Sequence, residues 1–313
     1  MQALLPWLTL VAGFIVLAWS ADRLVGGASA LALHLGLAPL LVGLFIIGFG
    51  TSTPELLVSA LAALDGEPEL ALGNAVGSNI ANVGLILGLT LAVFPLARQH
   101  AGQGATVTLL ALATTVTLLL IADLYLGRLE GAALMTGLLG SFAWLLYTSR
   151  RGAPAVGVEP EAPAMSRLRS AATIAVALLL LLASARVLVW AAVLLAERAG
   201  ISELVIGLSI VAVGTSLPEL ATAIAAARRR ELGLLYGNLI GSNLFNLLAV
   251  LGLAAIISPF ALSPEVLLRD GFLMALLTIP LILLATGRMT GARLIGVAMV
   301  TLYAGYQGAL YLW

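Results

Sequence analysis

The 313-residue chain contains no cysteine and no lysine, has two histidines, and is only 10% charged. Each shortage removes a class of function. Without cysteine there are no disulfides and no thiolate metal sites. His34 and His100 fall near predicted connections, and no HExxH motif is present, so metal-dependent proteolysis has no material to work with. Asp22, Asp65, Asp123 and Asp270 all fall near the ends of apolar runs, which leaves no membrane-embedded pair for aspartyl chemistry. An enzyme is therefore not expected. A net charge near zero argues against nucleic acid as a partner. No basic residue precedes the first apolar run, so a cleaved signal peptide is not expected.

What the chain has in abundance is apolar surface. Hydrophobic residues make up 61% of it, which excludes an ordinary soluble domain. Runs of about 20 residues, each enough to cross a hydrocarbon core of roughly 30 Å, recur along the whole length. Ten spans are expected, at about 4–24, 37–63, 69–96, 104–122, 129–148, 171–195, 203–227, 232–258, 268–287 and 292–312. The predicted fold class is an all-α membrane protein with ten transmembrane helices in the cell (inner) membrane, with no room for a separate soluble domain.

Arginine is the only fixed positive charge, and its placement sets the expected orientation. Eleven arginines lie in the connections after the odd-numbered spans: Arg23, Arg98, Arg150, Arg151, Arg167, Arg169, Arg228, Arg229, Arg230, Arg288 and Arg293. Three, Arg128, Arg198 and Arg269, lie on the other side, and Arg186 falls within span six. This bias predicts both termini outside the cytoplasm.

Two stretches repeat one another without a gap. Residues 48–89 and 212–253 align at a constant offset of 164, pairing Glu55 with Glu219, Ser78 with Ser242 and Asn82 with Asn246. The pairing continues upstream through Ser20-Ala21 with Ser184-Ala185, Gly36 with Gly200 and Gly43 with Gly207. An odd number of spans per half means that the second half enters the membrane inverted. The turn charges agree: Asp65, Glu67 and Glu69 in one copy stand against Arg228, Arg229 and Arg230 in the other. The expected organisation is two inverted-topology five-helix repeats, residues 1–148 and 171–313, forming one transport domain. A flexible cytoplasmic linker, 149–170, joins them.

A charge near the bilayer centre costs at least about 2.5–3.5 kcal/mol, so Glu55 and Glu219 need a counter-charge. No arginine lies at matching depth, which favours a cation taken from solution. Pro54 and Pro218 precede the glutamates directly and loosen the carbonyls of Gly50 and Gly214. Such carbonyls persist at membrane depth where they line a cavity or coordinate something. Around them stand Thr51, Ser52, Ser78 and Asn82 from one half and Thr215, Ser216, Ser242 and Asn246 from the other. Thr51 with Glu55 and Ser78 with Asn82 are four apart, each pair on one helix face. An all-oxygen shell with two carboxylates suits hard cations, chiefly Ca²⁺ and also Na⁺. Asn74, Asn79, Asn238 and Asn243 read mainly as interhelical glue, and Gly73, Gly77, Gly237 and Gly241 as close-packing faces.

GTSTPE with GNAVGSNIAN, and GTSLPE with GNLIGSNLFN, resemble the two alpha-repeats of the cation/calcium exchanger superfamily, most of all its prokaryotic sodium/calcium exchanger branch. The resemblance covers essentially the whole chain. It implies a ten-helix fold around four central cation sites, with Glu55 and Glu219 ligating Ca²⁺ and sharing the Na⁺ sites. It further implies that Thr51, Thr215, Ser52, Ser216, Ser78 and Ser242 complete the Na⁺ sites, together with the carbonyls of Gly48 and Ala212. Spans one and six would slide across the other eight. Some relatives carry aspartate where this chain has Asn246; here both Asn82 and Asn246 are neutral, so the cluster bears two negative charges. One Ca²⁺ would neutralise it, and three Na⁺ would leave it at +1.

The expected function is Na⁺/Ca²⁺ antiport by alternating access, with Ca²⁺ and Na⁺ as transported ions, the bilayer as surroundings, and no cofactor or obligate protein partner. The alternative is an H⁺/Ca²⁺ antiporter using the same glutamates. A passive channel would show no counter-ion requirement.

Overall fold

Proline and glycine set where many of the helices begin and stop. The computed structural model describes residues 4–94, 104–151, 165–200, 212–286, 288 and 292–310. Helix α1 (Leu5–Leu35) has a proline in its first turn and ends at Gly36, whose left-handed backbone (φ 61°) a glycine adopts without strain. This helix is longer than the expected span of 4–24, so Asp22 and Arg23 lie inside it rather than at an end. Neither charge interrupts the helix. Asp22 is neutralised by Arg229, and the Arg23 guanidinium sits 5.4 Å from the Trp19 ring centroid.

The second expected span is broken. Helices α2 (Pro39–Thr51) and α3 (Thr53–Leu64) meet at 44°. Ser52 leaves helical geometry (φ −85°, ψ 7°), and Pro54 starts the new helix rather than kinking a continuous one. After it come α4 (Pro68–Val93), α5 (Gly104–Leu120), α6 (Arg128–Arg151) and α7 (Arg167–Arg198). The chain then forms α8 (Ala212–Thr215), α9 (Leu217–Arg228), α10 (Leu232–Ile257), α11 (Val266–Ala285) and α12 (Ala292–Leu310). The first part of the expected span 203–227 lies outside the described residues, as do residues 152–164 of the expected linker. Helices α6 and α7 take up both ends of that linker. Among the described residues, six helices are long and apolar enough to cross a membrane, or seven with α2 and α3 counted as one.

Burial separates an inner pair from a shell. The apolar windows of α4 and α10 are 72% and 83% buried, against 22–39% for the other long helices, so the repeated motif helices form the centre. In the shell, α1 and α7 pack along one another and turn Leu8, Phe14, Ile15, Leu179 and Trp190 outward, as lipid-facing helices do.

Glycine lets α2 meet α10 backbone to backbone. A methyl group on Gly43 would strike the Leu234 carbonyl at 2.7 Å, and one on Gly241 the Leu44 carbonyl at 2.6 Å. One on Gly48 would meet the Asn238 carbonyl and the Ser242 amide, each at 2.9 Å. Small residues of this kind are what bring helices close inside a bilayer. Outside the helices, β1 (Tyr125–Leu126) and β2 (Phe260–Ala261) pair antiparallel, with Tyr125 opposite Ala261 and Leu126 opposite Phe260.

The two copies of the repeat share local geometry. Ser216 breaks the chain before α9 with φ −89° and ψ 5°, matching Ser52. Asp65 (φ −78°, ψ −2°) and Arg229 (φ −82°, ψ −1°) cap α3 and α9 alike. The next residues, Gly66 (φ 83°) and Arg230 (φ 58°), are both left-handed. Within α4 and α10, wider π-type turns begin at Asn82 and Asn246. Such turns recur at functional sites because they re-aim side chains without ending the helix.

Candidate functional site

The breaks at Ser52 and Ser216 place Glu55 and Glu219 in the first turns of α3 and α9, inside the protein rather than facing lipid. Each glutamate is 1% exposed. The helix N-terminus beneath each carboxylate presents unpaired amides and positive dipole, which favours a negative charge there. Ser52, from the other break, donates to Glu219 Oε1 at 3.2 Å.

Among the described residues the second oxygen of each carboxylate has no hydrogen-bond partner. Glu55 Oε2, Glu219 Oε2, Ser216 Oγ, Asn82 Oδ1 and both polar atoms of Asn246 are buried without one. Leaving one buried polar atom unpaired costs about 1–3 kcal/mol, and more for a charged one. Ordinary interiors hold few such atoms, and here several fall on residues that pair across the repeat.

Thr51 and Ser242 are fully buried, and both donate to the Gly48 carbonyl, at 3.4 Å and 3.3 Å. The Ser52 amide reaches the same carbonyl at 3.1 Å. Thr51 also donates to Asn238 Oδ1 at 3.4 Å. Ser78 and Thr215 line a cavity of about 410 Å³ together with Asn74, Asp270, Tyr303 and Tyr306. Ala212 begins α8, beside the residues outside the description. Ser52 with Glu219, Ser242 with Gly48 and Thr51 with Asn238 are therefore brought together across the two halves.

The asparagines act as buttresses. Asn74 Nδ2 donates to the Glu55 carbonyl at 3.1 Å and to Ser59 Oγ at 2.8 Å. Asn238 Nδ2 donates to Thr222 Oγ1 at 3.0 Å, holding α10 to the helix that bears Glu219. At the centre Asn79 and Asn82 donate to the Asn243 carbonyl and side chain, at 3.3 Å and 3.1 Å. One feature of the cavity escaped the sequence reading. Asp270 is mostly buried rather than lying free at a span end, and it accepts from Arg269 at 2.6 Å and 3.0 Å and from Tyr306 Oη at 3.1 Å. The adjacent arginine was its only signal in the sequence, since neither residue takes part in the repeat.

Comparisons with known proteins bear on this arrangement. The chain matches the family model described as sodium/calcium exchanger protein over residues 5–149 and 169–312. It is 38% identical over 309 residues to inner membrane protein YrbG of Escherichia coli, covering 94% of each chain. It is 28% identical over 344 residues to sodium/calcium exchanger MaX1 of Methanosarcina acetivorans, covering 97% of this chain and 98% of that one. A solved structure of the sodium-calcium exchanger NCX_Mj superposes with a TM-score of 0.84 at 26% identity, covering 98% of both chains. By sequence and fold along nearly its whole length, the chain belongs to the sodium/calcium exchanger protein family of membrane antiporters.

Proposed function

We propose that this protein exchanges Na⁺ for Ca²⁺ at one central site, and that Glu55 and Glu219 bind both ions in turn. The observation that carries the reading is the pair of buried carboxylates, one from each repeat, each with an oxygen that no donor among the described residues satisfies. A cation between them supplies the missing charge and the missing contacts together. Thr51, Thr215, Ser52, Ser216, Ser78, Ser242, Asn82, Asn246 and the carbonyls of Gly48 and Ala212 complete an oxygen-only shell. Such a shell selects hard ions over transition metals. Among the described residues no cluster of three or more His, Cys, Asp or Glu stands elsewhere to compete for a metal.

Coupling follows from sharing. Carboxylates engaged with Ca²⁺ are unavailable to Na⁺, so each ion displaces the other, and the loaded states switch access because the ions bind them differently. The scaffold for this is ten spans in two inverted halves, 1–148 and 171–313, joined by the linker 149–170. By the arginine bias both termini lie outside the cytoplasm, in the inner membrane. The matching breaks, caps and left-handed turn residues of the two copies support that symmetry.

The deciding experiment is a Na⁺ jump at fixed pH on vesicles loaded with Ca²⁺. Release that follows external Na⁺ supports the reading. Release that ignores Na⁺ and follows an imposed pH difference replaces Na⁺ with H⁺ as the driving ion.

A further inference from the structure

An ion pair joins the long outer helix α1 to the turn that follows α9. Asp22 takes Arg229 in a two-pronged grip, Oδ1 to Nε at 2.7 Å and Oδ2 to Nη2 at 2.6 Å. Gly26, one turn further along α1, makes room for it: a methyl group there would meet the guanidinium at 3.3–3.5 Å. Ser29, almost another turn on, donates to Glu231 at 2.5 Å. Three contacts thus fasten α1 to one turn.

The offset of 164 carries Asp22 onto Arg186 and Asp65 onto Arg229. The mate of the observed pair is therefore another possible pair, Arg186 with Asp65, with the two charges exchanged. Asp65 and Arg229 hold the same backbone geometry as caps of α3 and α9, so the correspondence is structural as well as textual. Among the described residues, however, Arg186 and Asp65 are not in an ion pair. Both are exposed. Helix α1 packs along α9, whereas α7 has no comparable contact with α3. The cavity that reaches Ser78 and Thr215 is lined by Leu70, Val58 and Leu310, which puts it at the end of the molecule bearing the Asp65 turn. The cavity that reaches Ser78 and Thr215 thus runs to the unlatched end.

We infer that Asp22–Arg229 and Arg186–Asp65 are alternative latches, one made in each access state, and that their exchange sets the balance between the two states. This rests on the alternating-access reading above. When α1 and α7 shift together along the core, Asp22 leaves Arg229 as Arg186 reaches Asp65. One full ion pair is broken and one formed, so charge pairing is conserved across the change. The mates of Gly26 and Ser29 are Trp190 and Val193, so the second latch lacks the cleared space and the extra hydrogen bond of the first. That difference tilts the resting balance toward the state seen here. All four are positioning residues; none is in the proposed ion site.

The absence of native cysteine gives a test without background labelling. Val58→Cys, in the wall of the cavity, reports the open end through its rate of reaction with a membrane-impermeant maleimide on right-side-out vesicles. Asp65→Cys with Arg186→Cys, joined by a short bismaleimide, reports the second contact. Asp22→Asn, and separately Arg229→Gln, should slow Val58→Cys labelling and raise the bismaleimide yield. The ratio of the two states should move by about twofold to fivefold, the range of one partly exposed ion pair, and both readouts should follow it. The swap Asp22→Arg with Arg229→Asp should return the Val58→Cys rate to that of the parent, which a merely misfolded variant would not. Labelling and cross-linking that stay at parent levels in both single variants overturn the inference, as does a slowed rate that the swap fails to restore. These readouts need no ion gradient. Latches that behave as described in a protein without Na⁺-driven Ca²⁺ release would sink the exchange reading alone, and the converse would sink the latches alone.

Discussion

Among the described residues the donors that hold Glu55 and Glu219 in place are neutral: Ser52 donates to Glu219, and Asn74 fixes the backbone under Glu55. In the proposed site the bound cation balances their negative charge. Replacing either with glutamine keeps the shape and removes the charge. Glu55→Gln or Glu219→Gln should reduce Na⁺-driven Ca²⁺ flux to the level of empty vesicles while the purified protein keeps its elution volume and helical circular dichroism. Near-normal flux in both variants would remove the carboxylates from the mechanism. Asn246 is buried, and neither of its polar atoms has a partner among the described residues. Asn246→Asp adds a third negative charge to the cluster, and the ratio of Ca²⁺ to Na⁺ transport should change while transport persists. An unaltered ratio would place the side chain outside the ion shell. The glutamates and their Thr-Ser neighbours were legible in the bare sequence because a carboxylate in an apolar run is conspicuous and this one occurs twice. Asp270 was not, since nothing in its local pattern says that Tyr306, on another helix, will bury it.

The helices carry the site through how closely they approach. Gly237 sits against the Leu40 carbonyl so tightly that no side chain fits, and Gly43 lies directly beside it. Gly237→Ala should force α2 away from α10 and destabilise the protein by about 1–3 kcal/mol, the usual result of overpacking. This would be read as a lower midpoint of thermal unfolding in detergent. Gly305, exposed on α12 with nothing near its missing methyl, is the control. Gly305→Ala should be neutral or stabilising by up to about 1 kcal/mol, since alanine suits a helix interior better than glycine. Equal losses at both positions would show that close packing between α2 and α10 is not what the glycines provide. The small-residue faces of α10 were readable from their spacing, but their partner was not. Helix ends were less readable still: α1 continues to Leu35 because a partner on a distant turn neutralises Asp22, and only Gly36 stops it.

For the molecule as a whole, the arginine bias makes a claim about sidedness that can be checked directly. A single cysteine placed at Leu4 should react with an impermeant maleimide added to intact right-side-out vesicles, and one placed at Met165 should react only after the vesicles are opened. The reverse pattern would invert the proposed orientation and with it the side to which the cavity opens.

Repetition, the twin glutamates and the oxygen-bearing side chains that accompany them are properties of residue order, so they could be read before any coordinates. They depend on composition and spacing, which a linear chain states outright. Which end of the molecule the cavity reaches, which of two mirrored charge pairs is made, and which oxygens lack a partner among the described residues belong to the folded protein alone. Two copies of nearly one sequence carry nearly the same local preferences. The choice between their two arrangements is made by contacts such as Ser29 with Glu231, between residues far apart in the chain.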